Sequence, residues 1–221
     1  MPIYHKHRLI HIHIPKTGGT AIEQFFHEIG DMTWGLESWV GQERRNGRWY
    51  EYQHLSLPEL QSLSKSEYET YDSFAVVRNP YSRLLSDYIW RQAISQVYPE
   101  SPTPAFASFD AFIRAIPKDI NSNWTRHIHN ADQKEANFLI HIRPQYKYII
   151  DAAENLLVDD IFRFENLDQE IDKLFNRYCL KNTKFIKPHN RNLNEFFNRT
   201  TISIVNEIYE KDFQQFSYEM L

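Results

Sequence analysis

Ile10, Ile12 and Ile14 alternate with His11 and His13, a period of two that predicts a strand over residues 9–14. Ile22, Phe25, Phe26 and Ile29 then fall at helical spacing, so the strand feeds a helix that opens at Ala21-Ile22-Glu23. Residues 31–53 are aromatic but aperiodic, and residues 56–70 take helical character after Ser56-Leu57-Pro58-Glu59-Leu60. A second apolar run, Ser73-Phe74-Ala75-Val76-Val77, ends on Arg78; Asn79 then supplies an N-cap and Pro80 an N1 residue for a helix to about Gln96. The prolines of Tyr98–Pro104 stop it. Phe109, Phe112, Ile113 and Ile116 predict a short helix, and the polar residues around Asn121-Ser122-Asn123 predict an irregular stretch before Pro144. A strand over 156–165 and helices over 168–180 and 200–214 complete the pattern, with Leu174, Phe175, Tyr178, Ile204, Val205, Ile208 and Phe213 as buried positions. Two strands that each run into a helix imply a parallel sheet in an α/β fold.

The junction between the first strand and its helix carries the chemistry. His13-Ile14-Pro15-Lys16-Thr17-Gly18-Gly19-Thr20 places two glycines and a lysine where a helix begins. Backbone N–H groups can converge there, the helix N-terminus adds partial positive charge, and Lys16 adds a full one, so the expected guest is a phosphate or a similar anion. A Walker A loop needs the lysine after its second glycine, whereas here the lysine precedes the pair, which disfavours ordinary ATP or GTP hydrolysis. The second strand end repeats the theme. Arg78 closes it, and Ser86 lies about two turns into the next helix, so both can address one phosphate.

Pro15-Lys16-Thr17-Gly18-Gly19-Thr20 resembles the 5′-phosphosulfate loop of sulfotransferases that use 3′-phosphoadenosine 5′-phosphosulfate (PAPS), and Arg78 with Ser86 resembles their 3′-phosphate motif. Gln53-His54-Leu55-Ser56, His141-Ile142-Arg143-Pro144-Gln145, Arg163-Phe164-Glu165-Asn166-Leu167 and Tyr209–Tyr218 extend the likeness in order along the chain, toward the carbohydrate branch, Golgi-type or bacterial. The resemblance implies a P-loop-like three-layer domain, a central parallel sheet flanked by helices, with residues 1–221 forming a single sulfotransferase domain.

It also implies roles. Lys16 would neutralise charge on the bridging and leaving oxygens. The backbone of Thr17, Gly18, Gly19 and Thr20, with the Thr20 hydroxyl, would hold the 5′-phosphate. His54 is the leading general base, since histidine titrates near neutrality and a similar histidine lies between the two phosphate motifs of the family. His141 and Glu23 are the fallback bases. Arg191, in Lys187-Pro188-His189-Asn190-Arg191, is a candidate to close on the 3′-phosphate, although this string departs from the family's Arg-Lys-Gly form.

The paired histidines at 11 and 13 and at 127 and 129 suggest a metal, but no carboxylate or cysteine is evident beside the first pair, and the family chemistry is metal-free. The expected cosubstrate is therefore PAPS, with no metal.

Composition narrows the picture. With 221 residues, 42% hydrophobic and 15% aromatic, the chain can bury one substantial core. A net charge of −4 argues against a nucleic-acid partner. Cys179 is the only cysteine, which rules out an internal disulfide framework. No run of about 18 apolar residues occurs and Met1–Arg8 lacks the apolar core of a secretory signal. Golgi relatives carry an anchor and stem, so the expectation is a bacterial cytoplasmic enzyme or else an excised Golgi lumenal catalytic domain. The sequons at Asn123 and Asn198 matter only in a secretory pathway.

Arg44, Arg45 and Arg48 sit among Trp34, Trp39, Trp49, Tyr50 and Tyr52, a combination suited to stacking on sugars and pairing with acids. Residues 31–53 and 98–130 are where the acceptor, a carbohydrate or a hydroxylated small molecule, is expected. The rival readings are a nucleotide-dependent kinase of similar architecture and a noncatalytic module that binds a glycan or nucleotide.

Overall fold

The computed structural model describes residues 2–32, 42–63, 69–180 and 192–221. Strands β1 (Ile3–Tyr4) and β2 (Leu9–Ile12) are followed by α1 (Gly19–Glu28), the strands β3 (Gln42–Arg45) and β4 (Arg48–Glu51), and α2 (Leu57–Leu63). Next come β5 (Asp72–Val77), α3 (Pro80–Val97), α4 (Phe109–Arg114), α5 (Ile120–Asn130) and α6 (Gln133–Ile142). The chain continues with β6 (Asp160–Arg163), α7 (Leu167–Arg177), α8 (Arg199–Ile208) and α9 (Glu210–Gln215). It divides into two compact units, one of Met1–Gln42, Glu51–Arg78 and Lys147–His189, the other of Glu43–Tyr50, Asn79–Tyr146 and Asn190–Leu221.

The first unit is the α/β body. Its sheet has the order β1-β2-β5-β6; β2, β5 and β6 are parallel, with Ile12 opposite Ala75 and Val77 opposite Arg163, and β1 is antiparallel. This is the expected parallel-rich sheet flanked by helices. Parallel strands require crossovers, and α1 packs Ile22, Phe25 and Phe26 into a core shared with Phe74, Val76, Phe162, Leu174 and Phe175.

Every residue of β2 is buried, so the alternation of isoleucine and histidine does not mark an inside and an outside. The strand also ends at Ile12, where the chain leaves the ladder to build the loop. His11 is fully buried, stacked on Phe74 with centroids 4.7 Å apart, and neither ring nitrogen has a hydrogen-bond partner. The predicted strand over 156–165 contracts to β6 because Phe164–Asn166 turn into a 3-10 helix.

The second unit is mainly helical. Asn79 caps α3 by accepting from the backbone N–H groups of Tyr81 and Ser82, and Pro80 occupies the first turn. Fully buried charge organises this unit. Asp87 accepts from Arg91 Nε at 2.7 Å and from His141 Nδ1 at 2.7 Å, while Arg91 also donates to Asn137 Oδ1 at 2.9 Å. Arg83 reaches the carbonyls that end α6, donating to His141 O at 3.0 Å and Arg143 O at 2.8 Å, and the Tyr209 hydroxyl donates to Ile142 O. A buried guanidinium thus satisfies acceptors that a helix C-terminus leaves open. Asp212 accepts from the N–H groups of Gln145 and Tyr146, both at 2.9 Å; burial raises its pKa from the ordinary carboxylate value.

Three sequence expectations are corrected. The irregular stretch before Pro144 is two helices: Ile120, Trp124 and Ile128 form a buried face of α5, and Asp132 caps α6 by accepting from Glu135 N–H. His127 and His129 therefore lie on a helix, two residues apart and on different faces. The described part of 31–53 holds a hairpin whose turn, Asn46-Gly47, has φ of 51° and 79°, the signature of a tight primed turn. The last predicted helix breaks at Tyr209 into α8 and α9.

His11 generates a stability prediction. Burial and the neighbouring His13 hold its pKa well below the ordinary 6.5, so the unfolded chain takes up a proton that the folded chain refuses. Stability is present above the unfolded pKa and falls as pH drops through it, by up to about 1.4 kcal/mol per pH unit from this group. In urea titrations from pH 7.5 to 5, His11→Phe, which keeps the stack on Phe74, is expected to remove that part of the slope; an unchanged slope would refute the assignment.

A candidate phosphate loop with a buried acid–imidazole network

The loop leaves β2 and enters α1 through two left-handed residues, Lys16 at φ 68° and Gly18 at φ 93°. Lysine in this region carries about 1–2 kcal/mol of backbone strain, which persists only where the surroundings over-determine it. The Thr17 hydroxyl donates to Ile14 O at 2.8 Å, and Arg78 Nη1 donates to Lys16 O at 3.2 Å. The Arg78 guanidinium lies 3.9 Å over the Phe164 ring, and the same ring floors the loop: a Cβ on Gly18 would lie 3.2 Å from it. Phe164 and Leu167 thereby give the Arg163–Leu167 string a local purpose.

Gly18 is the N-cap of α1 and makes no side-chain cap, and no acidic residue occupies the first turn. The leading N–H groups of a helix have no intrahelical acceptor, so this ten-residue helix presents donors and partial positive charge beside Lys16. The residues fit a phosphate. Gly19 is constrained differently: a Cβ there would lie 2.2 Å from His13 Cδ2, so the backbone passes against the imidazole with no room for a side chain.

His13 is 4% exposed, and its Nδ1 meets Glu23 Oε1 at 2.5 Å. Glu23 is fully buried on the apolar face of α1, and its other oxygen accepts from Gln53 Nε2 at 2.6 Å. His54 closes the group. It ends a 3-10 turn, Tyr52–His54, its ring stands edge-on to His13 at 4.6 Å, and its Nδ1 lies 2.9 Å from His13 O. A carbonyl only accepts, so Nδ1 carries the proton and Nε2 is left as the basic nitrogen.

The first unit thus brings together Lys16, Thr17, Gly18, Gly19, Arg78, His54 and Glu23, with Thr20 exposed at the start of α1. Ser86 lies half-buried on α3 of the second unit, and His141 is buried on α6 of the same unit, where its ring stacks on Trp90 at 4.8 Å. Arg191, Trp34 and Trp39 lie outside the described residues. On the hairpin, Arg44 and Arg45 are exposed and Arg48 lies 4.4 Å over Tyr50.

A carboxylate does stand beside the first histidine pair, contrary to expectation, since Glu23 occupies His13 Nδ1. His13 and Gln53 were not assigned roles from sequence. The available signal was Glu23 itself, an acid on the face that carries Ile22, Phe25 and Phe26 and therefore in need of a buried donor.

Gly19→Ala is expected to destabilise the chain by about 1–3 kcal/mol in urea denaturation, because the held imidazole cannot yield without breaking its bond to Glu23. Retention of wild-type stability would contradict the close packing.

Among the described residues no helix is long and apolar enough to cross a membrane. No curated protein matches the chain. The model of the Sulfotransferase family matches residues 2–219. With nearly the whole chain covered by that match, this protein belongs to the Sulfotransferase family.

Proposed function

We propose that the protein transfers a sulfuryl group from PAPS to a hydroxyl of a carbohydrate-like acceptor and releases 3′-phosphoadenosine 5′-phosphate. The observation that carries this reading is the convergence, in one unit, of an uncapped helix N-terminus, Lys16 and an imidazole with a basic Nε2. The 5′-phosphate rests on the N–H groups of residues 17–20 and the Thr20 hydroxyl, with Lys16 Nζ near the bridging oxygen. Arg78, with Ser86 and Arg191, takes the 3′-phosphate.

The acceptor hydroxyl gives its proton to His54 Nε2 as its oxygen attacks sulfur; the sulfur–oxygen bond to the 5′-phosphate breaks and the electron pair stays on that phosphate. Orientation and charge neutralisation carry most of the rate, as in phosphoryl transfer, and no metal is required. The exposed arginines beside Trp49 and Tyr50 on the hairpin support an acidic or sugar-bearing acceptor. The family match runs through segments of both units, which supports one catalytic domain over residues 1–221.

Calorimetry in the absence of magnesium tests the donor half. 3′-Phosphoadenosine 5′-phosphate should bind more tightly than ADP, and Lys16→Ala and Arg78→Ala should each weaken it by roughly 10- to 100-fold, the loss of one charged contact. Equal affinity for ADP would favour a nucleotide-dependent kinase. His54→Ala should leave that binding intact and lower sulfuryl transfer from labelled PAPS by roughly 10²- to 10⁴-fold. Undiminished transfer would remove His54 as the base.

A further inference from the structure

The hydrogen bonds around the loop close on themselves. From the His13 ring the path runs through Nδ1–H to Glu23 Oε1 and from Glu23 Oε2 to the Gln53 side-chain amide. It then passes along the chain to His54 and returns through His54 Nδ1–H to the carbonyl of His13. Two ties, one to a carboxylate and one to a carbonyl, hold the short Tyr52–His54 turn against the strand end and the loop helix. Glu23 is the hub, since it bonds both the strand-end imidazole and the turn. A carboxylate oxygen only accepts, so His13 also carries its proton on Nδ1. A histidine free in water favours the other tautomer.

We propose that Glu23 is a positioning residue for the base: through His13 and Gln53 it holds His54 in the Nδ1–H tautomer with Nε2 presented for proton transfer. This rests on the reading of His54 as the base. It gives Glu23 a role different from that of a proton acceptor, and it gives Gln53 one where the sequence offered only a motif position. Buried partners that fix an imidazole's tautomer and orientation act on the rate through geometry, and a misplacement of about 1 Å costs on the order of 10²-fold.

The circuit makes the substitutions unequal. In Glu23→Gln the amide oxygen can accept from His13 while its NH2 donates to Gln53, whose own amide turns over; the circuit survives without the charge. Glu23→Ala opens it. Gln53→Ala opens it at a half-buried position where the fold is under little threat, so the test stands even if Glu23→Ala fails to fold.

The experiment is a long-range ¹⁵N–¹H correlation of the imidazoles in histidine-labelled protein, with steady-state kinetics on the same samples. In wild type, His13 and His54 should each show a single Nδ1–H tautomer. In Gln53→Ala and Glu23→Ala the His54 signals should move toward the averaged mixture and kcat should fall roughly 10- to 100-fold. KM for PAPS is expected to stay within about 3-fold. Glu23→Gln should recover the tautomer and most of the kcat lost in Glu23→Ala.

A His54 that keeps its Nδ1–H signature in both opened variants overturns the proposal. So does an inactive Glu23→Gln that retains the signature, which would make Glu23 itself the proton acceptor. The spectra are recorded without substrate, so a wild type that transfers no sulfate would end the functional reading while the tautomers still decide the circuit.

Discussion

One steric constraint underlies the site: the loop backbone at Gly19 passes so close to the His13 imidazole that no Cβ fits between them. The contact places a ring directly against the start of a helix, and that ring is useful only if its nitrogens are directed. Glu23, one turn further along the same helix, directs it. The helix whose N-terminus heads the candidate phosphate loop therefore also carries the carboxylate that fixes the strand end beneath it. Loop geometry and imidazole geometry cannot be set independently here.

The same economy holds on the other side of the loop. Phe164 supports Gly18 from below and stacks with Arg78, whose guanidinium returns to the Lys16 carbonyl. A left-handed lysine would ordinarily relax; here its carbonyl is held by a buried cation and the next residue by its own hydroxyl. The strain is thus confined to the residue whose ammonium does the proposed chemistry. The second unit uses buried charge for a different end, with Arg83 closing the end of α6 while Asp87 and Arg91 tie α3 to His141 and Asn137 on α6.

Strand, lysine, glycine pair and helix were legible because each element has a local signature, and the second strand ending at Arg78 repeated it with a proline and an asparagine cap. The hairpin at Asn46-Gly47 carried an equally local signal, masked by the aromatics around it. The helices α5 and α6 were obscured because asparagine and serine weaken helix propensity while Ile120, Trp124 and Ile128 keep the period. Least legible was the network. Alternation told that His11 and His13 share a strand region, but not that both faces of β2 are buried, nor that Glu23 and Gln53, far apart in sequence, meet beside them. Contacts between distant positions have no periodicity to betray them.

The most direct test of the account is a crystal structure of the chain with 3′-phosphoadenosine 5′-phosphate bound. The 5′-phosphate should be seated on the N–H groups of residues 17–20 with Lys16 Nζ on its oxygens, and His54 should lie on the side where the sulfuryl group would project. A nucleotide bound elsewhere, or a 5′-phosphate held without Lys16 and the helix N-terminus, would contradict it.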